Sequence, residues 1–192
     1  KTLLYSAEIL HLAKQAQTFG LKISDAHADF SALQLRKKEI IQEFQQYRAG
    51  QLEDGRFNLY RNSARFTGNQ EITLDNGTVL HGERFLIATG SKIANPYIPG
   101  LDSLPVLTSN DILSIDRKLN SVIVLGGGIV GCELSQFLVR TGTSTSIVQR
   151  HHRILKFWNP EVSKVLEDAF KTEGINVHTA TSNLRLEKTL TG

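Results

Sequence analysis

A glycine-rich segment between an apolar run and a helical pattern constrains this chain more than any other feature. Residues 122–137 read VIVLGGGIVGCELSQF, in which Gly126, Gly128 and Gly131 form the pattern G-x-G-x-x-G. In a strand–turn–helix unit the first glycine makes the tight turn, the second lets the backbone approach a pyrophosphate, and the third lets the helix pack close to the sheet. The segment therefore predicts a dinucleotide-binding unit, and the alternative is a tight turn without a ligand.

The whole turn is expected to contact the coenzyme, because the helix that follows offers free N–H groups and a partial positive charge to phosphates. The predicted contacts are Gly126, Gly127, Gly128, Ile129, Val130 and Gly131.

Strands and helices alternate around this turn. SVIVL, STSIV and INVHTA read as strands, residues 128–141 as a helix, and Asn159-Pro160 as the start of another. The apolar face of the first helix is expected to hold Val130, Leu134, Phe137 and Leu138, and that of the second to hold Val162, Val165, Leu166, Ala169 and Phe170. The alternation predicts the α/β class, with a parallel sheet and right-handed crossovers.

The end of the second strand indicates which nucleotide the turn binds. An NAD site places Asp or Glu there to accept from the ribose 2′-OH, but Gln149 stands at this position and no acid lies between Glu133 and Glu161. Cationic or titratable side chains follow instead: Arg150, His151, His152, Arg153 and Lys156. A 2′-phosphate requires positive charge, so the sequence favours NADP(H), with NAD(H) and a merely solvated basic loop as alternatives.

The first half of the chain has a different character. Residues 1–19 and 29–48 are expected to be helices, and residues 57–67, 71–75 and 78–90 strands, with a hairpin turn at Asn76-Gly77. FLIATG, at residues 85–90, suits a strand buried on both faces. Residues 91–109 hold three of the four prolines and predict a linker.

Composition excludes several classes of protein. The net charge of +3 is too small to argue for nucleic acid, and no apolar run reaches transmembrane length. Cys132 is the single cysteine, so no disulfide can form within the chain, which fits a reducing, cytoplasmic location. The chain begins at Lys1 and contains no methionine, so we expect a piece of something longer or a processed chain.

Three segments together, KTLLYSAE, FLIATGSKIANPYIPG and VIVLGGGIVGCELSQFL, resemble the class I pyridine nucleotide-disulfide oxidoreductases. In that family an FAD domain is interrupted by an NAD(P) domain, and the protein is a homodimer. The resemblance implies an internal fragment that begins just after a redox disulfide. It also implies that residues 1–105 are part of an FAD-binding domain, made of helices and a β-meander, and residues 106–192 an incomplete NAD(P)-binding domain.

The resemblance also assigns roles to residues. A lysine near flavin N5 pairs with a glutamate two positions after the last glycine of the turn, which makes Lys1 and Glu133 the catalytic pair. The alternatives are a frayed terminus for Lys1 and a helix-dipole acid for Glu133. The flavin or its nucleotide is expected to contact Ala64, Thr89, Gly90 and Ser91, and the 2′-phosphate to contact Arg150, His151 and Lys156, beside Gln149.

The chain also departs from the family pattern. It carries neither the redox cysteine pair nor the C-terminal histidine–glutamate pair, so its own activity is expected to be absent. Cys132 reads as a buried packing thiol, with reactivity as the alternative, and the isolated histidines predict no metal site. The predicted parent protein is an FAD-dependent, NADPH-preferring reductase of a small-molecule or disulfide substrate. The alternatives are a non-catalytic NAD(P)-binding module and a flavoprotein reductase without a redox disulfide.

Overall fold

The structure is a computed structural model that describes residues 1–182 and 184–188. The helices are α1 (Thr2–Lys14), α2 (Phe30–Glu53), α3 (Ser109–Leu113), α4 (Ile129–Arg140) and α5 (Pro160–Thr172). The strands are β1 (Ala64–Gly68), β2 (Glu71–Leu74), β3 (Val79–His81), β4 (Ser121–Leu125), β5 (Ser144–Val148) and β6 (Asn176–His178). Short 3₁₀ helices cover Ala16–Phe19 and Leu101–Ser103. None of the helices in the described ranges is long and apolar enough to cross a membrane.

The chain folds into two compact units, which are described separately. The larger unit combines Lys1–Ile41 with the chain from Asn95 onward, and the smaller unit is Gln42–Ala94. This division follows packing. The predicted division at residue 105 concerns which cofactor each part binds, and it stays a prediction.

A parallel sheet of order β4-β5-β6 organises the larger unit. Leu125 lies opposite Val148, and Val148 lies opposite His178, so the three strands end together. Helices α4 and α5 make the two crossovers, which confirms the predicted α/β class and its parallel sheet. Asn159 caps α5 as predicted, because its side chain accepts a hydrogen bond from the Glu161 N–H at 2.9 Å.

Helix α4 lies between two apolar clusters. On one side it packs with α1, α2 and α3, through Leu3, Ala7, Phe30, Ile112, Leu134, Phe137 and Leu138. On the other side Cys132 joins the sheet and α5, together with Ile147, Ile154, Phe170 and Ile175. Cys132 is therefore the buried packing residue that was predicted.

The predicted apolar faces are wrong at four positions. Val130 is 55% exposed, because it lies in the first turn of α4 beside the open glycine turn. Val162, Val165 and Ala169 on α5 are also exposed. The inward side of that helix is set by Ser163, whose hydroxyl donates to the Ile154 carbonyl at 2.8 Å. The helix is thereby rotated relative to the face that hydrophobicity alone predicts.

The smaller unit contains an antiparallel meander of order β1-β2-β3. Asn76-Gly77 forms the predicted hairpin turn between β2 and β3, and Gly77 has a φ of +85° that favours glycine. The rings of Phe66 and Phe85 meet edge to face at 5.1 Å between centroids.

The predicted strand at FLIATG is wrong. Residues 82–90 have no strand structure, and the side chains of Leu86 and Ile87 are 92% and 70% exposed. A strand that is apolar on both faces requires neighbouring strands and covering helices. Within the described part of the smaller unit, no strand pairs with this segment.

Other element boundaries also differ from expectation. Residues 57–63 are not a strand, and α2 continues to Glu53 instead of ending near Arg48. The predicted linker, residues 91–109, contains the 3₁₀ helix Leu101–Ser103 and leads directly into α3. That helix begins with a capping box: the Thr108 side chain accepts from the Asp111 N–H, and the Asp111 carboxylate accepts from the Thr108 N–H. The segment TSND carries that signal, since a Thr three residues before an acid favours a helix start.

Candidate functional site

The glycine turn joins β4 to α4 in the predicted geometry. Gly126 has a φ of +108°, and its N–H donates to the Val148 carbonyl of β5 at 2.9 Å. Gly128 is the extended residue before α4, and the helix begins at Ile129. Among the described side chains none caps this helix, and its first turn holds no acid. Its N–H groups therefore face outward with a positive partial charge, a ready anion site.

Each glycine of the turn meets different surroundings. A Cβ atom on Gly131 would lie 2.2 Å from the Gly126 carbonyl oxygen, so only glycine lets α4 approach the turn this closely. A Cβ atom on Gly127 would lie 2.5 Å from the Cγ2 atom of Ile154. A Cβ atom on Gly128 would meet nothing within 4 Å. Space at Gly128 is therefore open toward a ligand, while Gly127 and Gly131 are closed by protein.

The basic loop, residues 150–156, is attached directly to the glycine turn. The Leu155 N–H donates to the Gly127 carbonyl at 2.7 Å, and the fully buried Ile154 side chain covers Gly127. Leu155 adopts a φ of +49°, a left-handed conformation that a leucine holds only when its surroundings impose it. The glycine turn and the basic loop are thus joined by a hydrogen bond and by the packing of Ile154.

Gln149 ends β5 with its side chain turned into the protein. It is 8% exposed, its N–H donates to the His178 carbonyl at 2.8 Å, and its Nε2 donates to the Arg153 carbonyl at 3.3 Å. In an NAD site, a carboxylate at this position accepts a hydrogen bond from a ribose hydroxyl. Here the position holds the neutral amide of Gln149, which is bound inside the loop.

Lys156 and His151 converge on one another across the basic loop. The Lys156 Nζ lies 3.0 Å from the His151 Nε2, and Arg150 is exposed beside them. Partial loss of hydration, reinforced by the charges of Lys156 and Arg150, lowers the pKa of His151 below its usual value. His151 is therefore a neutral acceptor of a lysine N–H at neutral pH.

Within the described ranges no carboxylate lies within ion-pair distance of Arg150, His151 or Lys156. The positive charge of these residues is uncompensated by protein, which favours a strongly anionic ligand beside the glycine turn.

Arg153 differs from the other cations of the loop. Its Nη2 donates to the main-chain carbonyls of Lys156 at 3.0 Å and Trp158 at 3.4 Å. Sequence reasoning listed Arg153 among the cations that follow the second strand without assigning it a contact, and the structure turns its guanidinium back onto the loop.

Lys1 and Glu133 are paired. The Lys1 Nζ lies 2.5 Å from the Glu133 Oε1, although the two residues are 132 positions apart in sequence. The Lys1 side chain is 85% exposed, so its ammonium group remains accessible to a ligand, while Glu133 is 39% exposed. The pair that the resemblance implied is present, and its role stays a prediction.

A second ion-pair network, which sequence reasoning missed, fixes α1 on α4. The Arg140 guanidinium pairs with Glu8 of α1 and with Glu173, whose Oε2 accepts from Nε at 2.6 Å. Burial opposes ionisation of Glu173, but hydrogen bonds from Arg140 and Gln136 hold its pKa below the usual value. The Lys14 Nζ adds a hydrogen bond to the Arg140 carbonyl at 3.1 Å. The single arginine in the last turn of α4 was the available signal.

The predicted flavin contacts lie in the smaller unit. Ala64 begins β1 with its side chain exposed, opposite Leu74. Thr89, Gly90 and Ser91 are exposed and have no regular secondary structure, and Gly90 has a φ of +78°. The larger unit holds Lys1, Glu133, the glycine turn and the basic loop.

Cys132 is unsuited to covalent chemistry. Burial, with a smaller contribution from the charge of Glu167, raises the pKa of its thiol to about 11. The thiol is protonated at neutral pH, and only a thiolate is strongly nucleophilic.

Comparisons with known proteins give one family. The sequence profile of the pyridine nucleotide-disulphide oxidoreductases matches residues 1–189. Mercuric reductase of Bacillus cereus is 34% identical over 189 residues, which are 98% of this chain and 30% of that protein. Dihydrolipoyl dehydrogenase of Bacillus subtilis is 26% identical, over 98% of this chain and 42% of that protein.

A solved structure shares the fold. The HOCl-induced flavoprotein disulfide reductase RclA of Escherichia coli superposes with a TM-score of 0.75 at 21% identity, over 96% of this chain and 40% of that chain. The chain thus spans between 30% and 42% of the length of these relatives.

Proposed function

This chain belongs to the pyridine nucleotide-disulphide oxidoreductase family, and we propose that it supplies the NADPH site and part of the flavin site of an FAD-dependent disulfide-type reductase. The observation that carries the proposal is the end of β5. There an inward-facing Gln149 replaces the ribose-binding acid, and an uncompensated basic loop adjoins the glycine turn. The proposed substrate of the whole protein is a small molecule or a disulfide.

The proposed coenzyme contacts divide between two anionic groups. The N–H groups that begin α4 would hold the diphosphate, with the open side of Gly128 allowing close approach. Arg150, His151 and Lys156 would hold the 2′-phosphate. A phosphate monoester carries nearly two negative charges at neutral pH, so it gains more from these cations than a ribose hydroxyl does.

Lys1 and Glu133 have a proposed role beside the flavin. FAD, when bound, supplies the chemistry of accepting a hydride from NADPH and passing electrons on to a disulfide. The carboxylate of Glu133 would hold the Lys1 ammonium, and the exposed ammonium would place a positive charge where negative charge develops. Ala64, Thr89, Gly90 and Ser91, which are exposed, would contact the flavin or its nucleotide.

The remaining proposals concern the whole protein. Its family supports a homodimer, and its single buried cysteine supports a cytoplasmic location. Neither nucleic acid nor membrane is a proposed partner, because the net charge of +3 is too small to argue for nucleic acid and no apolar run reaches transmembrane length.

The charge of Arg150 provides the test. In the flavin-loaded, full-length protein, calorimetry should show NADPH binding more tightly than NADH by about tenfold or more. Arg150→Glu should abolish or reverse this preference, because a carboxylate repels the 2′-phosphate and can accept from a ribose hydroxyl.

The matched control is Lys164→Glu, which makes the same charge change on the exposed face of α5, where Lys164 pairs with Asp168. It should leave the preference unchanged. Equal affinity of the unaltered protein for both coenzymes would refute the proposed function.

A further inference from the structure

Arg153 is the one residue of the basic loop whose charge is directed at the protein main chain. We infer that Arg153 is a positioning residue for coenzyme selection: it holds Lys156 in place and does not itself bind the 2′-phosphate. This inference rests on the proposed function and adds to it a residue that determines specificity through another residue.

The first support is the direction of the guanidinium. Its Nη2 donates to two carbonyl oxygens, those of Lys156 and Trp158, at 3.0 and 3.4 Å. Its Nε is buried and, within the described ranges, has no hydrogen-bond partner. A guanidinium that binds a phosphate presents its donors outward as a fork, whereas this one is committed to the loop.

The second support is the strained residue that Arg153 spans. Leu155, with its φ of +49°, lies between Arg153 and the two carbonyls that accept from it. A left-handed leucine costs on the order of 1–3 kcal/mol and persists only where other contacts impose it. The hydrogen bonds from Arg153 to these two carbonyls hold the main chain on the C-terminal side of Leu155.

The third support is that other contacts hold the rest of the loop. The Ala180 N–H donates to the His151 carbonyl at 2.7 Å, and the Ile154 N–H donates to the Glu167 carboxylate at 3.1 Å. Between Lys156 and Trp158, the described hydrogen bonds to the main chain are those that Arg153 donates and the one from the Trp158 N–H to the Leu155 carbonyl. The Lys156 ammonium also lies over the Phe157 ring, 4.4 Å from its centroid. Arg153 is thus the side chain that holds the main chain of Lys156.

The consequence concerns the pair at the centre of the proposed phosphate site. Lys156 reaches His151 at 3.0 Å because its main chain is held at this point of the loop. Loss of Arg153 should release Lys156, and the protein should lose affinity for a 2′-phosphate while keeping the adenosine and diphosphate contacts.

A double-mutant cycle tests this. The flavin-loaded, full-length protein is titrated calorimetrically with adenosine 2′,5′-bisphosphate and with 5′-AMP, which differs from it only in lacking the 2′-phosphate. Arg153→Gln should weaken binding of the bisphosphate about tenfold and leave 5′-AMP binding within about twofold. In the Lys156→Gln background, Arg153→Gln should cause no further loss, because Arg153 acts through Lys156.

Two other results would overturn the inference. Additive losses of affinity in the double variant would show that Arg153 binds the nucleotide independently of Lys156. Equal losses of affinity for both nucleotides would show that Arg153 acts on the stability of the whole protein. If Arg153→Gln fails to fold, Arg153→Lys replaces it, since an ammonium keeps the charge but lacks the fork, and the same cycle applies. If the unaltered protein does not prefer the bisphosphate, the proposed function fails; if it does and the cycle is additive, only this inference fails.

Discussion

At the scale of single residues, two glycines of the turn have different expected roles: one is needed for folding and the other for binding the coenzyme. Gly131 lies against the protein backbone, whereas Gly128 faces open space. The same substitution at the two positions should therefore produce different defects.

Gly131→Ala should lower stability by about 1–3 kcal/mol, because its Cβ atom would lie 2.2 Å from the Gly126 carbonyl oxygen. Gly128→Ala should fold with nearly unchanged stability, since Gly128 has a φ of −82° that alanine adopts readily, but should bind coenzyme at least about tenfold more weakly. Thermal unfolding and calorimetry on the two variants give the comparison. Coenzyme binding by Gly128→Ala that equals that of the unaltered protein would show that the diphosphate does not approach there.

His151 should make the binding of a 2′-phosphate depend on pH. Its lowered pKa leaves it neutral at neutral pH, and it gains a proton and a positive charge as the pH falls through that pKa. Affinity for adenosine 2′,5′-bisphosphate, relative to that of His151→Gln, should therefore rise between about pH 8 and about pH 5.5. Titration of the phosphate itself affects both proteins equally and cancels in the ratio. A ratio that is flat or that falls with acidification would contradict a role for His151 at the phosphate.

At the scale of elements, the docking of α1 on α4 determines where Lys1 lies. Leu3 and Ala7 pack against Leu134 and Leu138 within one apolar cluster, and Arg140 adds ion pairs from the other end of α4. The Lys1–Glu133 pair thus forms at one end of a helix contact that Arg140 secures at the other.

Arg140→Gln should destabilise the protein by about 3 kcal/mol, because it leaves Glu173, whose side chain is only 12% exposed, without its ionic partner. The matched control is Arg117→Gln, since the exposed pair of Arg117 with Asp116 should contribute less than about 1 kcal/mol. Thermal unfolding of both variants measures the difference.

The Arg140→Gln variant should also change how the free energy of unfolding depends on pH in acid. Because the pKa of Glu173 is lowered in the folded state, its contribution is present above the unfolded pKa and is lost as the pH falls through the folded one. Arg140→Gln should therefore lose less stability on acidification than the unaltered protein. If acidification lowered the free energy of unfolding equally in both proteins, Arg140 would not stabilise the Glu173 carboxylate.

Local signals predicted the elements around the site, and non-local contacts account for the errors. SVIVL and STSIV are strands over the predicted residues, because apolar runs bounded by Gly or polar residues specify them locally. FLIATG is not a strand, because a strand needs partners that its own sequence does not contain. The inward side of α5 depends on the Ser163 hydrogen bond, which hydrophobicity does not register.

The same distinction applies to the candidate site. The sequence showed that no acid follows β5 and that several cations do. It did not show that the Arg153 side chain points inward, because the rotamer of a long side chain depends on which carbonyl groups of the folded loop lie within its reach.

At the scale of the whole molecule, the residues proposed to select the coenzyme lie in one small region of the chain. The absence of acids between Glu133 and Glu161 concentrates positive charge near the glycine turn, although the net charge of the chain is only +3. The relatives extend well beyond the length that this chain matches, so chemistry at a disulfide is a proposal for the complete protein.

The most direct test is a crystal structure of the complete flavoprotein with NADP⁺. We expect the diphosphate at the start of α4 beside Gly128, and the 2′-phosphate within hydrogen-bond distance of Arg150, His151 and Lys156, with Arg153 still bound to its carbonyls. A 2′-phosphate facing solvent, or a diphosphate bound away from the glycine turn, would contradict the proposed NADPH site.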